Sequence, residues 1–294
     1  MDKEQMAFIF NPKAGRKQKP DIKDLIKGQI DNTRYKSKIS VTEYAGHAHV
    51  LTGELVKKGY KKIVAVGGDG TVNEIASAIV NLDASLGIIP TGSGNGLAYH
   101  LGIPKRMNKA FEILNKGNTV KIDAGKLNEN WFFCTCGVGF DARIGHKFAK
   151  NTKRGFLPYA KEVIKEFRQY RSKKYKFFID GEKFVRRAFL ITVANAGQYG
   201  NNAYIAPGAK IDDGLFDICI LKPFPVWKVF SLAVKLFRQS IDRSDYLETL
   251  KGKHIRFKKP KKKYLFHFDG EPTRFKKEKI NITMHHKCLE VMVP

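Results

Sequence analysis

Two glycine-rich segments have the composition of loops that contact phosphate. The first glycine loop has the sequence GGDGT at 67–71, and the second glycine loop has PTGSGNG at 90–96. Glycine lets the backbone approach phosphate oxygens closely, and the N–H groups at the start of a helix favour negative charge. A single loop of this kind is more often an ordinary tight turn, but a plain turn needs neither the run of glycines nor the pairing. The pair therefore indicates a site for a phosphorylated ligand.

Neither loop contains a standard nucleotide-binding motif. The Walker A pattern G-x-x-x-x-G-K-[ST] does not occur, which argues against a P-loop NTPase. The Rossmann pattern G-x-G-x-x-G does not fit, because Asn73 and Leu97 stand where its third glycine belongs. Phosphate binding must therefore depend on a different arrangement of loops.

Acidic residues accompany these loops and recur at two later strand ends. Asp69 lies inside the first glycine loop, and acidic turns follow at 212–214 (DDG) and 269–271 (DGE). Asp69 is either a turn aspartate that caps nearby backbone or a carboxylate that binds a metal or accepts a proton. The two later segments are typical of hairpin turns, and they also offer ligands for magnesium or a proton acceptor. The sequence leaves both interpretations open.

Strands and helices alternate over roughly the first 120 residues. Apolar runs predict strands, spacing at three and four residues predicts helices, and the pair Thr71 and Glu74 predicts a capping box at a helix start. Such alternation predicts an α/β domain with a doubly wound parallel sheet, whose ligands bind at the carboxyl ends of the strands. Both glycine loops follow such strands. The predicted strands are 7–10, 38–44, 62–66 and 86–89, and the predicted helices are 21–30, 47–58 and those that begin in the two glycine loops.

After Val120 strand patterns dominate and predict a mainly antiparallel β-sandwich. We therefore expect an α/β domain over 1–122, a sandwich over 123–279 and a cleft between them, with strands over 280–294 able to return to the first domain. The predicted strands are 120–127, 131–140, 174–179, 184–195, 216–221, 254–258 and 264–268, and the predicted helices are 159–170 and 225–239.

Charge is the most unusual overall property. Of the 294 residues, 54 are Lys or Arg and 28 are Asp or Glu, which gives a net charge of +26. Such a charge attracts polyanions, whether nucleic acid, nucleotides or an anionic membrane. Known nucleic-acid-binding signatures are missing, so a non-enzymatic nucleic-acid binder rests on charge alone. No apolar run approaches the ~18–20 residues of a membrane span, and the polar start, together with four scattered cysteines, predicts a cytoplasmic protein with reduced thiols.

Two segments could contact a membrane or cover the core, and a third segment is strongly basic. The apolar segment 224–238 contains interspersed Lys and Arg, so it predicts either an interfacial helix or a helix that covers the β core. Residues 155–158 (GFLP), beside Lys153 and Arg154, have the same two interpretations. The run KKPKKK at 258–263 is typical of a solvated hairpin tip.

Taken in order, these motifs resemble the diacylglycerol kinase catalytic-domain family, which includes bacterial lipid kinases and the sphingosine and ceramide kinases. The resemblance spans nearly the whole chain. The matching segments are NPxAG at 11–15, GGDGTxNE at 67–74, PTGSGN at 90–95, DxG at 123–125, GFDA at 139–142, PxAxxDDG at 207–214 and DGE at 269–271.

The resemblance implies nucleotide on the N-terminal domain, lipid on the β-sandwich and transfer of the γ-phosphoryl of ATP, with Mg²⁺, to a lipid hydroxyl. It implies a peripheral enzyme at the anionic inner face of the membrane and leaves a homodimer open. By position, the catalytic carboxylates are Asp69 and Glu271. The nucleotide contacts are Asn11, Gly68, Gly70, Thr71, Gly92, Ser93 and Asn95, and the magnesium and water network comprises Asp123, Asp212 and Asp213.

The sequence also shows where this resemblance is ambiguous. GGDGT alone is shared with NAD kinases, so a kinase of NAD or another soluble metabolite is the alternative, although PTGSGN and DGE argue against it. Many bacterial diacylglycerol kinases have an aspartate at the position of Gly96, whereas the GSGN form is similar to sphingosine kinases. The expected substrate is therefore a lipid such as diacylglycerol or a sphingoid base.

Overall fold

The structure is a computed structural model that describes residues 3–15, 21–148, 166–167, 169–258, 264–275 and 279–294. The chain forms two compact units. The first comprises Met1–Asp123 with His286–Pro294, and the second comprises Ala124–His285. Residues 155–158, most of the predicted helix 159–170 and most of the lysine run 258–263 lie outside the described residues.

The first unit contains a parallel sheet in the order β2-β1-β3-β4, followed by the end of β16. This order confirms the doubly wound α/β fold. Its elements are β1 (Glu4–Phe10), α1 (Ile22–Gln29), β2 (Tyr35–Val41), α2 (His47–Lys57), β3 (Lys62–Gly67), α3 (Asp69–Ile79), β4 (Ser85–Pro90), α4 (Gly96–His100), α5 (Met107–Lys116) and the first half of β5 (Thr119–Leu127).

The central strands of this sheet are apolar along their whole length. Every residue of β4 is buried, as is every residue of β3 after Lys62. Strands covered by helices on both faces have continuous apolar runs of this kind. The sheet is thus a rigid base, and its loops leave from the carboxyl ends of the strands.

The second unit contains two antiparallel sheets. One sheet has the order β12-β11-β10-β7-β14-β15, and the other pairs the start of β16 with β13, β8 and β9. Its elements are β6 (Asn130–Phe132), β7 (Thr135–Gly139), α6 (Phe140–Phe148), β8 (Lys173–Ile179), β9 (Glu182–Ala188), β10 (Leu190–Ala194), β11 (Phe216–Leu221), α7 (Lys228–Phe237), β12 (Leu247–Gly252), β13 (His254–Phe257), β14 (Tyr264–Phe268), β15 (Glu271–Phe275) and β16 (Ile280–Met292).

A core packed between the two sheets confirms the β-sandwich. Ile191 and Val193 of β10 pack in one cluster with Phe177 of β8 and Phe257 of β13. Alternate residues of β10 and β11 belong to a second cluster, which includes Leu190 and partly buried Leu236 of α7. Since side chains alternate between the faces of a strand, the β10–β11 sheet is covered by apolar groups on both sides.

Some predicted boundaries are wrong for identifiable reasons. The predicted strand 184–195 is two strands, because β9 ends at Ala188 and pairs in one sheet while β10 begins at Leu190 and pairs in the other. The predicted strand 131–140 is likewise divided into β6 and β7. Helix α5 and strands β12 and β15 are additional elements that the sequence pattern did not predict.

The predicted capping box at Thr71 and Glu74 is also wrong. Helix α3 begins at Asp69 with Gly68 as its N-cap, so Thr71 already lies in the first turn. The Glu74 carboxylate instead accepts hydrogen bonds from the backbone N–H groups of Gly46 (2.8 Å) and Ala48 (3.0 Å). Glu74 thereby caps the neighbouring helix α2, where a carboxylate also complements the helix dipole.

All four cysteines are free thiols. Three of them are buried, and burial raises the pKa of Cys219 to about 12. A thiol with so high a pKa carries almost no thiolate at neutral pH and is a poor nucleophile. The cysteines of these strands therefore pack as small apolar residues.

Candidate functional site

The first glycine loop and the Asn11 loop (NPKAG, 11–15) lie at the point where the strand order of the first unit reverses. The chain passes from β1 to β2 on one side, and β3 then returns to the opposite side of β1. The carboxyl ends of β1 and β3 lead directly into these loops. Open α/β sheets bind ligands at this kind of switch point.

The three loops are close enough that side chains at key positions would collide. A Cβ atom on Gly92 would lie 2.5 Å from the Cα atom of Gly68. A Cβ atom on Gly15, which has a φ of +76°, would collide with the backbone oxygen of Thr91. Glycine at these positions therefore permits backbone-to-backbone packing of the Asn11 loop and both glycine loops.

Side-chain hydrogen bonds connect the Asn11 loop to the first glycine loop. The Asn11 amide donates from Nδ2 to Thr71 Oγ1 at 2.9 Å, and its Oδ1 accepts from the backbone N–H of Lys13 at 2.9 Å. Asn11 and Thr71 are 60 residues apart in the chain. Their contact holds the start of α3 beside the end of β1.

Asn95 organises the second glycine loop from within. It adopts the left-handed conformation (φ 55°, ψ 44°) and is the N-cap of α4. Its Oδ1 accepts from the backbone N–H of Gly92 at 3.0 Å, and its Nδ2 donates to the backbone oxygen of Gly92 at 2.9 Å. Asn95 is 3% exposed, so it shapes the loop backbone from inside, whereas Ser93 on the same loop is exposed.

Asp69 joins the two glycine loops. Its carboxylate accepts hydrogen bonds from the backbone N–H groups of Asn95 (2.7 Å) and Gly96 (2.6 Å). The side chain therefore caps backbone 26 and 27 residues away, as well as lying at the start of its own helix. A Cβ atom on Gly94 would lie 2.6 Å from Asp69 Oδ2, so this glycine is needed for the contact.

Burial raises the pKa of Asp69 above its ordinary value of 3.8, and the N–H groups of Asn95 and Gly96 oppose that rise. A carboxylate with a raised pKa, located where a sheet binds ligands, is a candidate for proton transfer. The geometry thus gives Asp69 two properties at once, since it fastens the loops and is a stronger base than an exposed aspartate.

Asp123 of the first unit is completely buried. Its Oδ1 accepts from His286 Nδ1 at 2.8 Å and from the backbone N–H of Lys287 at 2.7 Å. The carboxylate thus fastens β5 to β16 within the first unit. These hydrogen bonds give Asp123 a role in joining two strands, and the magnesium and water network that the resemblance implies for it stays a prediction.

The acidic turn at 212–214 belongs to the second unit. It is not the predicted hairpin turn, because β10 ends at Ala194 and the turn leads into β11, which begins at Phe216. Asp213 Oδ1 accepts from the backbone N–H of Leu215 at 3.0 Å, and its Oδ2 lies 3.2 Å from Lys251 Nζ. Asp212 is exposed beside it. Across the residues that the structure describes, no three or more His, Cys, Asp or Glu side chains form a group that could hold a metal ion.

The DGE segment is a hairpin turn between β14 and β15, as one interpretation predicted. The Asp269 carboxylate accepts from the backbone N–H groups of Phe133 (2.8 Å), Cys134 (2.8 Å) and Thr135 (3.0 Å). Glu271 begins β15 and is exposed. Asp269 therefore fixes the turn, and the turn presents Glu271.

A buried polar cluster in the second unit was not assigned a role from the sequence. Asp141 Oδ2 accepts from Thr192 Oγ1 at 3.0 Å and lies 3.0 Å from His267 Nε2. Tyr199 joins through a hydrogen bond to Thr192, and burial raises its pKa well above the ordinary value. These contacts tie α6 to β10 and β14. The motif GFDA identified Asp141, but no sequence pattern linked it to residues 51 to 126 positions away.

Two family models match the chain. The diacylglycerol kinase catalytic domain matches residues 5–127, which contain the three loops, and the YegS C-terminal NAD kinase beta sandwich-like domain matches residues 134–292. Together these models cover both compact units, in the order that the motifs indicated.

Similar proteins include two whose names describe lipid kinases. The chain is 28% identical over 257 residues to a protein of Chromohalobacter salexigens named a probable lipid kinase YegS-like. The alignment covers 85% of this chain and 81% of that protein. It is 26% identical over 293 residues to the diacylglycerol kinase of Bacillus subtilis. That alignment covers 98% of this chain and 95% of the Bacillus subtilis protein.

A solved structure has the same fold. The crystal structure of a diacylglycerol kinase from Bacillus anthracis aligns with a TM-score of 0.76 at 21% identity and covers 99% of this chain and 97% of that one. The part of the chain that the structure describes has no helix with the length and apolar character of a membrane span. With both family models matched in order, the chain belongs to the diacylglycerol kinase family of lipid kinases.

Proposed function

We propose that this chain transfers the γ-phosphoryl of ATP, in the presence of Mg²⁺, to a hydroxyl group of a lipid. The observation that carries the proposal is the convergence of the three loops around Asp69 at the switch point of the parallel sheet. Phosphoryl transfer depends mainly on positioning and on charge stabilisation. Backbone N–H groups held in rigid loops supply both.

The loops have the features needed to hold a triphosphate. Gly70 is exposed in the first turn of α3, where backbone N–H groups have no carbonyl partner within the helix. The N–H groups of Gly70 and Thr71 would bind phosphate oxygens, and the helix dipole would add to that attraction. Gly68, Gly92, Ser93, Asn11 and Asn95 would shape the same cradle.

Magnesium fits as an ion bound largely by phosphate oxygens and water. Mg²⁺ commonly keeps several waters and takes only one or two carboxylates from a protein. Asp123, Asp212 and Asp213 would belong to the network of carboxylates and water around the ion. When bound, ATP supplies the phosphoryl group and the ion neutralises phosphate charge.

One of two carboxylates, Asp69 or Glu271, accepts the proton of the attacking hydroxyl. Asp69 has the raised pKa that suits a base, whereas Glu271 is exposed on a turn that Asp269 fixes. The variants Asp69→Asn and Glu271→Gln separate the roles. The general base must be deprotonated to act, so kcat/KM of the wild type should fall at low pH. The variant that lacks the base should no longer show this fall.

The acceptor is a lipid such as diacylglycerol or a sphingoid base, at the cytoplasmic face of an anionic membrane. The net charge of +26 supports this location, since a basic surface is attracted to anionic headgroups. The diacylglycerol kinase of Bacillus subtilis supports the substrate class by its name.

A radiolabel assay tests the proposal. The purified protein, labelled ATP, Mg²⁺ and a panel of diacylglycerol, monoacylglycerol, ceramide and long-chain bases should yield a labelled lipid that chelation by EDTA abolishes. NAD serves as the soluble acceptor in the same assay. Label on NAD with none on any lipid would replace this proposal with the soluble-metabolite kinase.

A further inference from the structure

Helix α7 and the turn before it expose large apolar side chains. Val226 is 70% exposed, Trp227 78%, Phe230 79% and Phe237 56%. We call these four residues the α7 apolar face. They are clustered within 12 residues of the second unit, and clustered apolar exposure marks interaction sites more often than a single exposed apolar residue does.

The packing of α7 does not require this face. Leu232 is 5% exposed, and Leu236 packs against the cluster that contains Leu190. Leu232 and Leu236 are four residues apart and share one face of the helix, about 200° and about 240° around the axis from Phe230. Phe230 and Phe237 are seven residues apart and share the other face. One face of α7 thus covers the core while the opposite face remains exposed.

The charged side chains of this segment are all positive. From Lys222 to Ser240 the chain contains Lys222, Lys228, Lys235 and Arg238 but no Asp or Glu. Lys228 and Arg238 are exposed at the two ends of α7. An exposed apolar face with cations at its ends complements an anionic bilayer, because apolar groups enter the acyl boundary while cations contact headgroup phosphates.

We propose that the α7 apolar face docks this enzyme on an anionic lipid bilayer. The proposal deepens the proposed function, on which it rests, by assigning membrane contact to particular residues. A second copy of the chain is a poorer occupant, because pairing two such faces would bring together two segments that carry four cationic residues and no carboxylate between Lys222 and Ser240. Trp227 suits the site, since its ring is large and amphipathic and tryptophan is enriched at membrane interfaces.

Tryptophan fluorescence tests insertion directly. The chain has two tryptophans, and Trp131 contacts the His285 ring and Lys126 elsewhere in the second unit. In a Trp131→Phe variant, Trp227 is the sole reporter. Vesicles with 30% phosphatidylglycerol should shift its emission to the blue, and brominated acyl chains should quench it. Unshifted, unquenched emission with vesicles that bind the protein would overturn the proposal.

Variants of the face separate docking from catalysis. The double variant Trp227→Ser with Phe230→Ser should bind phosphatidylglycerol vesicles at least about tenfold more weakly in a sedimentation assay, because two large apolar side chains no longer enter the bilayer. Leu82→Ser is the matched control, since Leu82 is 50% exposed but lies in the first unit. The control should bind like the wild type.

The kinase assay is then run on the same variants. The double variant should lose activity toward lipid in vesicles by about the factor that its binding falls, yet keep wild-type activity toward lipid in neutral detergent micelles. Unchanged vesicle binding with a shift from dimer to monomer in light scattering would show a protein interface and overturn the proposal. If no lipid is phosphorylated in either medium but vesicle binding still falls, docking stands and the proposed function fails.

Discussion

The two compact units use their carboxylates in different ways. In the first unit, the Asp69 carboxylate accepts hydrogen bonds from two backbone N–H groups of the second glycine loop. The side chains of Asn11 and Asn95 also form hydrogen bonds within these loops. In the second unit, the assigned acidic residues lie on separate turns. Asp213 contacts Lys251, and Glu271 is exposed at the start of β15.

This difference indicates that the first unit uses its carboxylate to hold loops together, whereas the second unit exposes a carboxylate on a fixed turn. The first unit builds its site from backbone that packs on backbone, so a change there should alter both the shape of the loops and ligand binding. The second unit fixes a turn with one carboxylate, Asp269, and presents another, Glu271. A change at Glu271 should therefore alter chemistry and leave the fold intact.

The largest effect is expected for Asp69→Asn. The amide cannot accept a proton, and its NH₂ group would face one of the two N–H donors of Asn95 and Gly96. We expect kcat to fall by about 10²–10⁴, the usual contribution of a general base or of a carboxylate that organises the site. Steady-state assays with labelled ATP measure the change, and a circular dichroism spectrum like that of the wild type confirms folding. Activity within threefold of wild type would contradict the account.

The pair Glu271→Gln and Asp269→Asn separates chemistry from structure in the second unit. Glu271→Gln should reduce kcat by at least about tenfold with unchanged thermal stability, because the side chain is exposed. Asp269→Asn should lower the free energy of unfolding by about 1–3 kcal/mol, since three backbone N–H groups lose a charged acceptor. Calorimetry and steady-state kinetics measure both effects. A large loss of stability in Glu271→Gln together with unchanged stability in Asp269→Asn would contradict these roles.

Gly92→Ala tests the close packing of the glycine loops. The added Cβ would lie 2.5 Å from Gly68 Cα and 2.8 Å from Asn95 Oδ1, so the loops must separate. We expect a loss of about 1–3 kcal/mol in the free energy of unfolding, as for other overpacked sites, and a higher KM for ATP. Gly53→Ala is the control, because nothing lies within 4 Å of its Cβ position in helix α2. It should raise stability by roughly 0.5–1 kcal/mol.

Asp69 should also set a measurable pH dependence of stability. Because its folded pKa is raised above 3.8, its contribution to stability is fully present below the unfolded pKa and is lost as pH rises through the folded pKa. The stability of the wild type minus that of Asp69→Asn should therefore decrease as pH rises above about 4. Urea denaturation between pH 4 and pH 8 measures this difference, and an increase with pH would show that the folded pKa is lowered instead.

The smallest effect on stability is expected at Asp213. Its contact with Lys251 spans 3.2 Å between partly exposed side chains, and exposed ion pairs contribute about 0–1 kcal/mol. Asp213→Asn should therefore change the melting temperature little, while the concentration of Mg²⁺ that gives half-maximal activity should rise. A magnesium titration like that of the wild type would remove Asp213 from the metal site.

Local sequence patterns predicted those strands, loops and turns that depend on residues close together in the chain. The apolar run of β3 and the glycines after it predicted a core strand followed by a ligand loop, because both signals lie within a few residues of each other. The same reasoning correctly predicted β14 and the turn at Asp269 that follows it, although strand β15, which completes the hairpin, was not predicted.

Long-range contacts could not be predicted in this way. The capping box at Thr71 and Glu74 satisfied the sequence pattern, yet Glu74 caps α2, which lies 26 to 28 residues earlier. The strand pattern at 184–195 is continuous, but the chain changes sheets at Phe189, since β9 pairs with β8 in one sheet and β10 pairs with β7 in the other. The helix at 225–239 had two proposed roles. Leu236 confirms that it covers the core, and the exposure of Phe230 leaves the membrane role as a proposal.

The central claim is that the loops of the first unit bind the nucleotide. Isothermal titration with a non-hydrolysable ATP analogue and Mg²⁺ tests it most directly on three proteins: the wild type, Gly92→Ala and Glu271→Gln. The account predicts that Gly92→Ala binds the analogue at least about tenfold more weakly, a loss of about 1.4 kcal/mol, and that Glu271→Gln binds it like the wild type. Wild-type affinity in Gly92→Ala together with weakened binding in Glu271→Gln would contradict the claim.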